Sequence, residues 1–117
     1  MALARATLLM VDEPIRPAAT VILWREGAAG REILMGQRGA AAVFMPSKYV
    51  FPGGGVDPQD QIGDTVTLDA HCLDRLALRC PDDAPDAQTL VRAALRELHE
   101  ETGLRPAADA KLRFVFR

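Results

Sequence analysis

Arg96-Glu97-Leu98-His99-Glu100-Glu101-Thr102-Gly103-Leu104 closes the strongest helical pattern in this 117-residue chain. Val91, Ala94, Leu95 and Leu98 recur at intervals of three and four, which predicts a helix over 86–102 that Gly103 would end. Three of the six glutamates in the protein, Glu97, Glu100 and Glu101, fall in its last turns. Taken alone that crowding is unfavourable. Glu97 and Glu101 are a like-charge i,i+4 pair costing roughly 0.2 to 0.5 kcal/mol, and each carboxylate opposes the helix macrodipole by roughly 0.3 to 1 kcal/mol. At about 100° per residue the three acids share one arc, beside an apolar arc of Ala94, Leu95 and Leu98 that can dock on a sheet. Carboxylates converging at the edge of a buried interface suit Mg²⁺ or Mn²⁺, hard ions that keep waters and take substrate phosphates in their remaining positions. The plainer reading of the same acids is a solvated helix face.

Upstream of the helix, Ala18 to Trp24 has the β-branched enrichment of a buried strand, and Arg25 to Arg31, with Gly27 and Gly30, leads into a second apolar run over Glu32 to Arg38. The pair reads as a β-hairpin. Tyr49-Val50-Phe51 is a short strand, expected to stop at Pro52 and Gly53, Gly54 and Gly55, where missing side chains permit close approach. Between 57 and 85 the chain is rich in Asp and Pro, with a short helix expected over 69–79. Downstream, Lys111 to Arg117 alternates as a strand does.

The segment from Arg96 to Leu104 resembles the second half of the Nudix box, Arg-Glu-aliphatic-x-Glu-Glu-x-Gly-aliphatic, at each of its specified positions. The first half of that box, glycine followed six positions on by glutamate, is similar to Gly54 through Asp60, with aspartate standing where the family has glutamate. Arg96 lies 28 residues beyond position 68, where an uninterrupted box would place it, so the box carries an insertion at about 61–88. The resemblance implies an α/β (α+β) fold: a mixed β-sheet with the box helix packed on one face. It also implies one Nudix-like domain over 1–117, incomplete at its C-terminal end, because the family fold adds strands and a closing helix; such a piece could complete itself as a homodimer.

Carried over residue by residue, the resemblance makes Glu97, Glu100 and Glu101 metal ligands, with Glu97 also a candidate base. Arg96 would orient the acids, the Gly54 carbonyl would join the metal shell, and Asp57 and Asp60 are additional candidates. The activity implied is Mg²⁺- or Mn²⁺-dependent hydrolysis of the diphosphate in a nucleoside diphosphate linked to another group, such as ADP-ribose, NADH or coenzyme A. The alternative is a Nudix-like nucleotide-binding or regulatory module without turnover. Arg38 precedes Phe51 by thirteen positions, as an arginine does in a motif of the coenzyme A diphosphatases, which makes it a substrate-binding candidate. That motif also places an arginine and a glycine where this chain has Val43 and Ser47.

Composition narrows the partners. A net charge of −2 offers no broad cationic field for a nucleic-acid backbone, so the expected partner is a small-molecule nucleotide diphosphate. The apolar runs fall short of the ~20 residues that cross a bilayer, so no membrane partner is expected. Two cysteines, Cys72 and Cys80, are too few for a disulfide framework and fit a cytoplasmic setting. With His71 they make a thin case for zinc, and read more simply, with Leu73 and Leu76, as the apolar face of the insert helix. Trp24 and Tyr49 read as core aromatics of the strands, with base stacking as the alternative.

Overall fold

The computed structural model describes residues 16–41 and 47–107. Six short strands, a 3-10 turn and two helices follow one another: β1 (Ala18–Thr20), β2 (Trp24–Gly27), β3 (Gly30–Ile33), β4 (Gly36–Gln37), β5 (Tyr49–Val50), β6 (Gly53–Gly55), the 3-10 turn Pro58–Gln61, α1 (Ala70–Ala77) and α2 (Ala87–Thr102). Among the described residues the strands pair two by two, all antiparallel, and α2 packs against β1, β6 and the 3-10 turn, giving the expected α+β class. The strand expected over Lys111 to Arg117 lies outside the described residues.

α2 forms where its sequence pattern predicts. The Asp86 side chain accepts from the Thr89 N–H at 2.8 Å, filling one of the donors a helix start leaves open. That bond holds the Asp86 carboxyl below its ordinary value. Gly103 ends the helix at φ 73°, a left-handed conformation that a side chain disfavours, and its N–H donates to the His99 carbonyl at 2.8 Å. The buried side of α2 is made of Thr89, Ala93, Ala94 and Leu98, with Ala93 and Leu98 fully enclosed. Small residues at 93 and 94 bring the helix axis close to the sheet.

The strand pattern departs from the sequence reading in two places. Ala18 to Trp24 is no single strand: β1 pairs with β6 (Ala18↔Gly55, Ala19↔Gly54, Thr20↔Gly53), whereas β2 pairs with β3 through a turn at Ala28-Ala29. The chain changes partner between the two, although Val21 still donates to the Pro52 carbonyl and Leu34 to that of Leu23, both at 2.9 Å. Gly53, Gly54 and Gly55, expected to stop a strand, instead form β6. Close approach explains the composition: a Cβ on Gly53 would meet the Ala19 carbonyl oxygen and lie 2.7 Å from the Thr20 Cα, both backbone of β1 that cannot swing away. Gly53→Ala is therefore expected to destabilise the fold by about 1 to 3 kcal/mol, read as a lowered midpoint in urea; an unchanged midpoint would show that β1 and β6 can separate freely.

Trp24 and Tyr49 are not core. They are 52% and 67% exposed, and the Arg31 guanidinium covers the Trp24 ring at 4.6 Å. In β2 and β3 every residue but Gly27 is exposed, and so is Tyr49 in β5, so these strand aromatics reach solvent. The insertion contains α1, capped by Asp69, whose side chain accepts from the Cys72 N–H at 2.7 Å. Cys72 is buried and Leu76 half-buried, as the apolar-face reading expects, but Leu73 is exposed, α1 ends at Ala77, and Cys80 follows beyond it with its thiol donating to the Leu76 carbonyl.

Candidate functional site

Arg96 sits on the third turn of α2 with its side chain only 15% exposed, and its guanidinium is the hub of a network that ties α2 to the segment 55–60. Nε and Nη2 donate to Oδ1 and Oδ2 of Asp60 at 2.8 and 3.0 Å, the parallel two-bond geometry in which arginine matches a carboxylate best. Nη1 donates to Glu97 at 3.2 Å and to Glu100 at 3.0 Å, and Nη2 also reaches the Gly55 carbonyl at 3.0 Å. Asp57 adds a longer ion pair at 3.6 Å. Thirty-six residues separate Asp60 from Arg96 in the chain, yet theirs is the tightest contact in the network.

Asp60 is buried, 3% exposed, and also accepts the Asp57 N–H at 2.7 Å. The Arg96 guanidinium holds its carboxyl below the ordinary value, outweighing the opposing effect of burial, and Arg96 is in turn held above its own ordinary value by Asp60. A carboxylate whose folded-state pKa is depressed stabilises the fold at every pH above its unfolded value, ordinarily 3.8, and that contribution drains away as pH falls through the folded value. Acid titration of the fold is accordingly expected to show a loss of stability beginning near pH 4 that is blunted in Asp60→Asn; equal slopes in the two proteins would refute the assignment.

Glu101 occupies a different environment. Partial desolvation first, and then the neighbouring Glu97 carboxylate, push its pKa up, while the Gly53 N–H and the charge of Arg38 pull against that shift. With the folded pKa raised, the penalty for keeping Glu101 charged, from desolvation first and the Glu97 charge second, is full above that raised value and disappears as pH falls below the ordinary one. Glu97 and Glu101 therefore face each other beside the β6 glycines. Gly54 is the floor of this corner: a Cβ there would lie 2.6 Å from the Glu97 carboxyl carbon.

Each residue picked out by sequence can now be placed. Arg96, Glu97, Glu100, Asp57 and Asp60 share one network; Glu97 and Glu101 meet against Gly53 and Gly54, and the charge of Arg38 reaches Glu101. Glu100 is 54% exposed and turned toward Arg96, and among the described residues no three His, Cys, Asp or Glu side chains already stand together as a metal cage. The all-oxygen donors nevertheless suit a hard divalent cation, and the bare Gly54 is what lets the Glu97 carboxylate come close to the β6 backbone. Outside that set lies Arg92, one turn before Arg96, whose Nε donates to the Asp60 carbonyl at 2.7 Å and whose Nη2 donates to that of Gln61 at 3.0 Å. Its four-residue spacing from Arg96 is the sequence signal that would have pointed to it.

The arrangement has a counterpart of known structure. The crystal structure of a NUDIX hydrolase from Alicyclobacillus acidocaldarius aligns with a TM-score of 0.52 and 33% identity, over 76% of this chain and 37% of that one. A Caenorhabditis elegans protein named as a nudix hydrolase is 36% identical over 90 residues, 76% of this chain and 22% of that protein. The chain belongs to the Nudix superfamily. No protein-family model matches it. It spans about a fifth of the length of that curated relative (22%) and 37% of the structural one. In Nudix terms, Asp60 from the first half of the box and Arg96 from the second are 2.8 Å apart, so the two halves meet in space although the box carries 28 extra residues between them.

Proposed function

We propose that this Nudix domain is a divalent-metal-dependent hydrolase that cleaves the diphosphate of a nucleoside diphosphate linked to a second group. The observation that carries the reading is the Glu97–Glu101 corner: two carboxylates held against each other beside a bare glycine strand, at a cost in charge repulsion that a bound cation would relieve.

Glu97, Glu101, Glu100 and the Gly54 carbonyl would hold Mg²⁺ or Mn²⁺, which when bound supplies phosphate neutralisation and a lowered pKa for the attacking water. The remaining work falls to side chains of the chain. Arg96, anchored on Asp60, fixes the Glu97 carboxylate from one side and leaves its other oxygen for the site. Glu97 is the candidate to take the proton of the attacking water, because it stands between the Arg96 network and Glu101. Asp57 and Asp60 serve the hub rather than the cation. Arg38, whose charge reaches the corner, would pair with a substrate phosphate. Its spacing to Phe51 keeps coenzyme A among the candidate substrates beside ADP-ribose and NADH. An open cleft of about 380 Å³ between Gln59, His99, Glu100 and Arg105 offers room for the group that does not react. No helix among the described residues is long and apolar enough to cross a membrane.

The tether of Glu100 to Arg96 at 3.0 Å favours a second reading, a Nudix-like module that binds nucleotide without turning it over. One assay separates them: the whole protein with Mg²⁺ or Mn²⁺ against ADP-ribose, NADH, coenzyme A, dinucleoside polyphosphates and nucleoside triphosphates. The enzyme reading expects cleavage of at least one diphosphate substrate that EDTA abolishes. Metal-dependent binding with no cleavage of any substrate would establish the module instead.

A further inference from the structure

We propose that Arg92 is a positioning residue of the site, holding Asp60 in place so that Asp60 can hold Arg96, and that it does for an interrupted box what chain continuity does for an uninterrupted one. The inference rests on the proposed hydrolase reading for its catalytic consequence, but its structural core does not.

Asp60 and Gln61 lie at the end of the 3-10 turn, just where the chain leaves on the insertion. Carbonyls at such an end have no partner within the turn. Arg92 supplies both: Nε to Asp60 at 2.7 Å and Nη2 to Gln61 at 3.0 Å, two charge-assisted bonds from one rigid fork. The main chain of Asp60 is thus gripped by Arg92 while its side chain is gripped by Arg96. One turn earlier on α2, Gln88 clamps the insertion a few residues further along, accepting from the Val66 N–H and donating to the Val66 carbonyl, both at 2.8 Å. Gln88, Arg92 and Arg96 are spaced by four and form one ridge of the helix. Gly63 lies between the clamped points with φ 152°, and a Cβ there would come 3.0 Å from the Arg92 Cδ, so a side chain at that position would crowd the arginine stem. On this ridge Gln88 fastens the insertion, whereas Arg92 bonds the main-chain carbonyl of the residue that carries the Arg96 counter-charge; the Asp60 N–H donates to the Asp57 carbonyl at 2.9 Å within the turn.

The test uses the whole protein with three substitutions: Arg92→Met, which keeps the stem and removes the donors; Arg92→Lys, which restores one charged donor; and Gln88→Leu, which loosens the insertion at Val66. Two readouts are taken. Hydrogen exchange of the Arg96 Nε–H, followed by NMR without metal, is expected to quicken about tenfold in Arg92→Met, to return most of the way in Arg92→Lys, and to stay at the parent rate in Gln88→Leu. Turnover with the active substrate is expected to show kcat lowered about 10- to 100-fold in Arg92→Met with KM little changed, again with partial rescue by lysine and none of this in Gln88→Leu. If Arg92→Met leaves the Arg96 exchange at the parent rate, or if Gln88→Leu quickens it equally, the proposal is overturned. Should the parent protein cleave nothing, the hydrolase reading fails by itself, and the exchange measurement still decides whether Arg92 positions Arg96.

Discussion

Arg96→Ala is expected to destabilise the fold by about 3 to 5 kcal/mol, the range for breaking a buried ion pair from one side. Asp60, 3% exposed, would lose both guanidinium bonds and keep its charge in a place water does not reach. The contact also ties the 3-10 turn to α2 across 36 residues of chain, so its loss frees the insertion at its root. Asp60→Ala is expected to cost less, because Arg96 retains Glu97, Glu100 and the Gly55 carbonyl. Replacing both members by apolar residues of similar size, Asp60→Leu with Arg96→Met, should recover much of the single-mutant loss, since no unpaired buried charge is left. Urea unfolding followed by circular dichroism measures all three. If Arg96→Ala costs under 1 kcal/mol, the pair is behaving as a surface salt bridge and its burial in this structure is wrong.

The second large effect is on activity and has the opposite sign for the fold. Glu101→Gln and Glu97→Gln each remove one charge of the crowded corner, and each is expected to lower kcat by about 10² to 10⁴, with weakened Mn²⁺ binding measured directly by water-proton relaxation. Without metal, the same substitutions should make the protein slightly more stable: Glu101→Gln removes a charge that partial desolvation disfavours, and Glu97→Gln removes the carboxylate that repels it. Opposite movements of stability and turnover distinguish a site built for a cation from acids that only support structure. Full turnover in either variant would remove that residue from the chemistry.

The box helix was legible from residues near in sequence. Its apolar spacing, its Gly103 stop and the Arg96-to-Leu104 pattern are all written within 20 residues, and the helix forms over Ala87–Thr102 and ends at Gly103 as read, although Thr89 and Ala93 are buried where Val91 and Leu95 are only half-buried. The glycine strand was not legible, because three glycines signal freedom of conformation and say nothing of a neighbour; β6 exists because β1 lies close enough that any side chain at Gly53 would collide with it. Trp24 and Tyr49 were misjudged for a related reason: strand propensity reports an extended backbone, whereas burial depends on whether another layer covers that face.

From its sequence alone the chain specified which residue types crowd the helix end and which family they resemble, since both are matters of local order and spacing. Tertiary structure alone decided who neutralises whom. In sequence Asp60 is a candidate site acid standing where the family has glutamate, and only when the insertion folds back along Gln88, Arg92 and Arg96 does it become the buried counter-charge of the hub. Side-chain periodicity is set by bonds between neighbours, but the pairing of charges 36 residues apart depends on where a long detour returns, and that is settled by packing against the helix.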